Sequence, residues 1–166
     1  RPIDPSANHI VSPVDGTVAF IGSTTNDEIT LDGGKSLNIS RLIGKNEPSE
    51  RDVAILYLSP TNYHRVHVPR EGRAIAWRYI PGDLWAVFPA AVRRVNGLFE
   101  GNERAVVHFD TDSGPLDVVL VGAFGVGRIS LSVCDLLTNT GGAPCQHDLE
   151  PPQSFERGAQ LGIFHL

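Results

Sequence analysis

Methionine is absent from this 166-residue chain, and cysteine occurs only twice, as Cys134 and Cys145. Two thiols make at most one bridge and no paired C-x-x-C, which excludes a disulfide framework and a recognisable cysteine metal site. Long apolar runs are missing too. The longest, residues 118–126, is broken by glycines and falls short of the about 20 residues a helix needs to cross a bilayer. The start shows no basic and apolar leader pattern and no initiator methionine at Arg1, so upstream residues are expected to have been removed or left out. Positive charge is scarce overall: 14 Lys and Arg face 19 Asp and Glu, a net charge of −5. That balance argues against bulk attraction to nucleic acid or to an anionic lipid surface.

What is present points to β structure. Hydrophobic residues make up 41% of the chain, enough for one compact domain over residues 1–166 and too little for two. Short runs alternate and favour β-branched residues at 17–21, 53–58, 73–78, 105–109, 116–121 and 128–133. They are separated by turn dipeptides such as Asp15-Gly16, Gly33-Gly34, Pro81-Gly82 and Gly114-Pro115. The fold class expected is all-β, mostly antiparallel and barrel- or sandwich-like, with few short helices. One helix is predicted over 36–43 with Ser36 as N-cap, and 138–154 reads as a long loop rich in Gly, Pro and polar residues. The run Leu161-Gly162-Ile163-Phe164-His165-Leu166 stays apolar without cap or turn, as a strand interrupted in its middle would.

Charge is unevenly spread. Between Arg65 and Arg104 lie seven arginines and four acids, so this middle carries +3 and the remainder −8. Such a stretch suits a phosphate-bearing ligand as well as an ordinary solvated face.

Four constellations carry candidate chemistry. Asp15 sits in Ser12-Pro13-Val14-Asp15-Gly16, a turn feeding a strand, where Asp bonds local backbone and Gly accepts positive φ. His64 and His67 lie in Tyr63-His64-Arg65-Val66-His67-Val68-Pro69. Three residues apart, they face opposite sides of a regular strand unless a turn or bulge intervenes, and Pro60-Thr61-Asn62 supplies a turn signal just upstream. Zinc would need a third ligand; Cys145-Gln146-His147 offers no recognisable spacing, so no metal is expected. Leu98-Phe99-Glu100-Gly101-Asn102-Glu103-Arg104, preceded by Trp85-Ala86-Val87-Phe88-Pro89, sets aromatics beside arginines. That suits an amphipathic substrate or a core edge rimmed by salt bridges. Val121-Gly122-Ala123-Phe124-Gly125-Val126-Gly127 lacks the helix and Lys-Ser/Thr pair of a phosphate loop, and close β packing explains it better.

In this order the segments resemble the phosphatidylserine decarboxylase family. Ser12 to Gly16 is similar to its S-P-x-D-G, Tyr63 to Pro69 to its Y-H-R-x-H-x-P, Leu98 to Arg104 to its L-F-x-x-N-E-R, Val121-Gly122-Ala123 to its V-G-A, and Arg157 to Leu166 to the lead-in to its G-S-T cleavage site. The resemblance implies that this is the larger, non-pyruvoyl β chain of a precursor that cuts itself after the Gly expected to follow Leu166. The partner would be a small α chain whose first serine has become a covalent pyruvoyl group.

The resemblance also assigns roles. Asp15 and His67 would form a charge relay with that serine for self-cleavage: Asp15 orients the ring and His67 takes the hydroxyl proton. His64 would be the acid–base group for decarboxylating phosphatidylserine to phosphatidylethanolamine and CO2 through a Schiff base. Phe88, Arg65 and Arg104 are the candidates for substrate contact, with the phospholipid expected to be met peripherally on the cytoplasmic face of a bacterial cell membrane; a homodimer of the αβ unit is an option, and nucleic acid is not expected as a partner. Two rival readings remain: a pyruvoyl decarboxylase of a soluble amino-acid substrate, and a non-enzymatic biotinyl-lipoyl or phosphocarrier-like β module.

Overall fold

The computed structural model describes residues 3–6, 9–46 and 48–165. Eleven strands and three short helices make up the regular structure there: β1 Thr17–Ser23, β2 Glu28–Leu31, β3 Lys35–Asn38, α1 Ile39–Ile43, β4 Asp52–Tyr57, β5 Arg65–His67, β6 Gly72–Ile80, α2 Pro89–Val92, α3 Leu98–Gly101, β7 Arg104–Thr111, β8 Gly114–Val121, β9 Arg128–Leu131, β10 Cys145–Phe155 and β11 Gln160–His165. Every paired strand is antiparallel. The sheets do not close into a barrel; the pairing is β10-β6-β7-β8, β5-β11-β9, β1-β4 and β2-β3.

Alternation decides which residues meet. In the four-stranded sheet, Ala105, Val107 and Phe109 of β7 stand in register with Tyr79, Trp77 and Ala74 of β6 and with Leu120, Val118 and Leu116 of β8. With a side-chain period of two, these residues share one face. That face packs on Val66, Ile129, Leu131 and Leu161 of the three-stranded sheet to form the main core. The opposite face carries Arg104, Val106 and His108, all buried, and polar atoms there must find partners. Segment 41–51 provides several. Arg104 reaches the carbonyls of Leu42 and Arg41, Arg78 that of Ile43, and Arg51 and Lys45 ion-pair with Asp117, which also binds His108 Nδ1 at 2.5 Å.

Two local expectations are corrected. Ser36 does not cap a helix; it lies in β3 opposite Thr30. The cap falls at Asn38, whose side chain accepts the Arg41 N–H at 2.9 Å, and Gly44 at φ 70° ends the turn. Residues 145–154 are not loop but most of β10, paired with β6. Their polar composition misleads because β10 is an edge strand with both faces largely exposed, and Pro151 and Pro152 sit where the pairing is interrupted, between Asp148 and Gln153.

The apolar run at 161–166 is a strand over its described part. β11 pairs on one side with β5 and on the other with β9, so it is the central strand of its sheet. Leu166 lies outside the described residues, as does the expected cut beyond it.

Candidate active site

The site grows around β5 and β11. The hydroxyl of Ser59 and its N–H both donate to Asn62 Oδ1, at 2.8 and 2.7 Å, and the Asn62 N–H closes the turn on the Ser59 carbonyl at 2.9 Å. The expected turn at 60–62 is therefore present, built as a local side-chain to backbone cycle. It delivers His64 just before β5 begins, outside the regular strand.

His64 is held at both ends. Its carbonyl accepts the Phe164 N–H of β11 at 2.9 Å, and its ring meets the Phe164 ring edge-on with centroids 6.5 Å apart. Nδ1 lies 2.7 Å from the Asn62 carbonyl. A carbonyl only accepts, so Nδ1 carries the proton and Nε2 is left with its lone pair. Nε2 has no hydrogen-bond partner among the described residues.

His67 repeats this arrangement at the other end of β5. Its Nδ1 donates to the Gly158 carbonyl at 2.8 Å, while Nε2 lies 3.3 Å from the Tyr63 hydroxyl. The Tyr63 ring stacks on the imidazole at 5.8 Å with planes 15° apart. An extra residue in β11 separates the two histidine positions: Gln160 pairs with His67 and Gly162 with Val66, leaving Leu161 as a bulge. The irregularity thus falls on the partner strand. His64 and His67 contact different neighbours, Phe164 and Gly158, and are not joined in one hydrogen-bonded pair.

Asp15 arrives by backbone pairing. The Pro13 carbonyl accepts the His67 N–H at 2.8 Å, and the Val11 N–H donates to Pro69 at 3.0 Å, so residues 11–13 run along the outer edge of β5. Asp15 then lies on an exposed bend two residues beyond that anchor. The glycine after it is needed for space rather than for positive φ: a Cβ on Gly16 would lie 2.5 Å from the Tyr57 carbonyl oxygen. The ring nitrogen through which a carboxylate usually orients a histidine is taken by Gly158. An aspartate relay through Nδ1 would require the ring to give up that carbonyl.

Of the proposed substrate contacts, Arg65 is exposed on β5 with Nη1 bound to the Gln160 side chain, and Phe88 is 48% exposed at the start of α2. Arg104 is corrected. It is buried, and its guanidinium donates to the carbonyls of Leu42, Glu100 and Asn102, each at 2.7 Å, and of Arg41 at 3.1 Å. Those bonds make it a clamp between α1 and β7 and spend four of its five N–H groups on backbone carbonyls in a buried position.

Two groups were not singled out from sequence. Tyr63 could have been suspected as an aromatic four residues before His67. His165 Nε2 lies 2.8 Å from Ser130 Oγ at the end of β11, and only strand pairing reveals that neighbour.

An all-β scaffold thus presents two half-buried imidazoles, each with Nδ1 fixed by a backbone carbonyl. The model of the family described as phosphatidylserine decarboxylase matches residues 1–166, and the chain belongs to that family. It is similar to phosphatidylserine decarboxylase proenzymes of Anaeromyxobacter sp. (strain K), at 40% identity, Marinobacter nauticus, at 36%, and Nitrosococcus oceani, at 38%. Each match covers 100% of this chain but only 61%, 60% and 57% of the relative, so the chain spans about three fifths of the proteins it resembles.

Proposed function

We propose that this chain is the larger part of a pyruvoyl-dependent decarboxylase that converts phosphatidylserine to phosphatidylethanolamine at a membrane surface, after self-cleavage of a precursor. The observation that carries the reading is the junction of His64 with Phe164: an acid–base side chain with one nitrogen available sits against the end of β11, beside the stretch that resembles the lead-in to a cleavage site.

On this reading His67 serves the cleavage. With Nδ1 protonated toward Gly158, its Nε2 is the base that removes a proton from the precursor's serine hydroxyl. Tyr63, within hydrogen-bond range of the same nitrogen, holds the ring until the serine replaces it. Asp15, carried beside β5 by the Pro13 contact, supplies negative charge that favours the imidazolium formed in that step.

A pyruvoyl group on the partner chain would supply the electrophilic carbonyl that such a decarboxylation needs as an electron sink. The residues here fit such a group: the carbon left when CO2 departs would need a proton, and His64, when protonated on Nε2 as well as on the Nδ1 held by Asn62, would deliver it from Nε2. Arg65 keeps donors on its exposed guanidinium for the headgroup phosphate, and Phe88 offers an apolar contact to the acyl region.

The test is the purified full-length protein given phosphatidylserine, free serine and phosphoserine separately. CO2 from phosphatidylserine alone, with two chains by mass and a blocked amino terminus on the smaller, is expected. Turnover of only a soluble compound, or one uncut polypeptide without lyase activity, overturns the reading.

A further inference from the structure

The residues of the N-E-R triplet hold two loops whose tips carry aromatic rings into solvent. Buried Asn102 accepts the Trp85 N–H at 3.0 Å and donates to the carbonyls of Trp85 at 2.8 Å and Gly122 at 2.9 Å. Leu84 is wedged against Gly122 and Gly127, where a Cβ on Gly127 would collide with it. Loops 83–86 and 122–127 are therefore fixed to one another, and together they line an open groove of about 370 Å³ formed by Asp83, Leu84, Trp85, Ala86 and Phe124.

Such fixed loops nevertheless leave Trp85 56% and Phe124 83% exposed, with Phe88 at 48% three residues on. Large exposed apolar groups clustered on an ordered surface mark an interaction site rather than chance exposure. The groove itself holds one acid, Asp83, while exposed arginines follow Phe88 and Phe124 along the chain. Arg93 and Arg94 are exposed one short helical turn beyond Phe88, and Arg128 is exposed where the Phe124 loop enters β9. None of the three is in an ion pair among the described residues, and the nearby Asp83 carboxylate is taken up by the Trp85 indole N–H at 3.1 Å. The position matters as well. Arg128 is in register with His165 on β11, so the Phe124 loop springs from the same strand ends that bring Phe164 to His64.

From these observations we infer that Trp85, Phe88 and Phe124 form a rigid wedge that docks into the headgroup layer of an anionic phospholipid bilayer, with Arg93, Arg94 and Arg128 on lipid phosphates. Tryptophan suits that layer because its ring is apolar and its N–H polar. The chain's net charge of −5 opposes attraction as a whole, so this patch supplies the local contact that draws β11's end to the lipid. The inference rests on the proposed phospholipid activity and adds to it the face by which the bilayer is met.

The test compares wild-type processed enzyme with Phe124→Ser in co-sedimentation with vesicles of phosphatidylcholine alone or with 30% phosphatidylglycerol added. Phe124 is mostly exposed, so the variant should melt at the wild-type temperature while vesicle partitioning falls about tenfold, the effect of taking one aromatic ring out of an apolar layer. The double variant Arg93→Glu/Arg94→Glu should lose the preference for anionic vesicles and spare binding to neutral ones. The ratio of decarboxylation on vesicles to that on short-chain, monomeric phosphatidylserine should fall with partitioning. Unchanged partitioning of Phe124→Ser overturns the inference, whether or not the enzyme is active. A change in oligomeric mass in that variant also overturns it, because the face would then be a protein interface. Wild-type binding lost in the variant, with no CO2 from any phosphatidylserine, upholds the docking face while removing the proposed activity.

Discussion

Residues 102–104 and 64–67 are equally polar, equally motif-like, and put to opposite uses. In the first, each side chain is committed to the protein by two or more bonds. Asn102 ties two loops, Glu103 accepts from the Tyr79 hydroxyl at 3.0 Å and from the Asn139 N–H, and Arg104 serves four carbonyls. Burial together with that hydrogen bond pushes the Tyr79 hydroxyl up to about 12, so it stays a donor to Glu103 through the physiological range. In the second, each histidine fixes Nδ1 on a carbonyl, while His64 Nε2 has no partner among the described residues and His67 Nε2 meets only the Tyr63 hydroxyl at 3.3 Å. A buried polar side chain held by several bonds is a structural strut, whereas the proposed roles fall on the half-exposed pair.

Four substitutions test that division, beginning with the largest effect. His67→Ala should leave the precursor uncut, seen as one band where the wild type gives two; normal processing would remove His67 from the cleavage step. His64→Ala should be processed normally but lose about 10²–10⁴-fold in CO2 release, the usual contribution of a positioned acid or base. Retained turnover would move the proton donor elsewhere. In the committed region, Asn102→Ala leaves backbone groups of Trp85 and Gly122 without partners and should cost about 3 kcal/mol in urea unfolding; a change below about 0.5 kcal/mol would mean the clamp is dispensable. Tyr63→Phe should be the mildest, changing the rate of self-cleavage by about threefold or less, as a long hydrogen bond warrants.

Acid titration sharpens the same contrast. Burial pushes the Asp117 carboxyl up, but the hydrogen bond from His108 and the charges of Lys45 and Arg51 outweigh it and hold the group below its ordinary value. A carboxyl lowered in the folded state contributes fully above its unfolded value and loses that contribution as pH falls through the folded one. Asp117→Asn should therefore be less stable at neutral pH, by about 1–3 kcal/mol, and its stability should fall less steeply in acid below the ordinary aspartate range. Parallel acid limbs for the two proteins would contradict the network.

Much of the framework is legible without coordinates, because alternation at 17–21, 53–58, 73–78, 105–109 and 116–121 reflects one face on a core, and the strands observed there extend those runs by only a few residues. β10 is not legible for the same reason: with both faces exposed it has no alternation to show. Nor could spacing divide the arginines. Arg104 and Arg65 read alike until the fold buries one under α1 and leaves the other on β5. The histidines were visible as candidates from their motif, but the Gly158 carbonyl on His67 and the Phe164 ring against His64 come from about ninety to a hundred residues away.

By itself the sequence determined the all-β class, the family and the residue types able to move protons, since periodicity and ordered motifs are local properties of the chain. Tertiary structure alone decided which polar side chains are buried as struts and which stay half-exposed. That depends on which distant segments fold over each side chain, as Arg41 and Leu42 do on Arg104, and no local pattern encodes it.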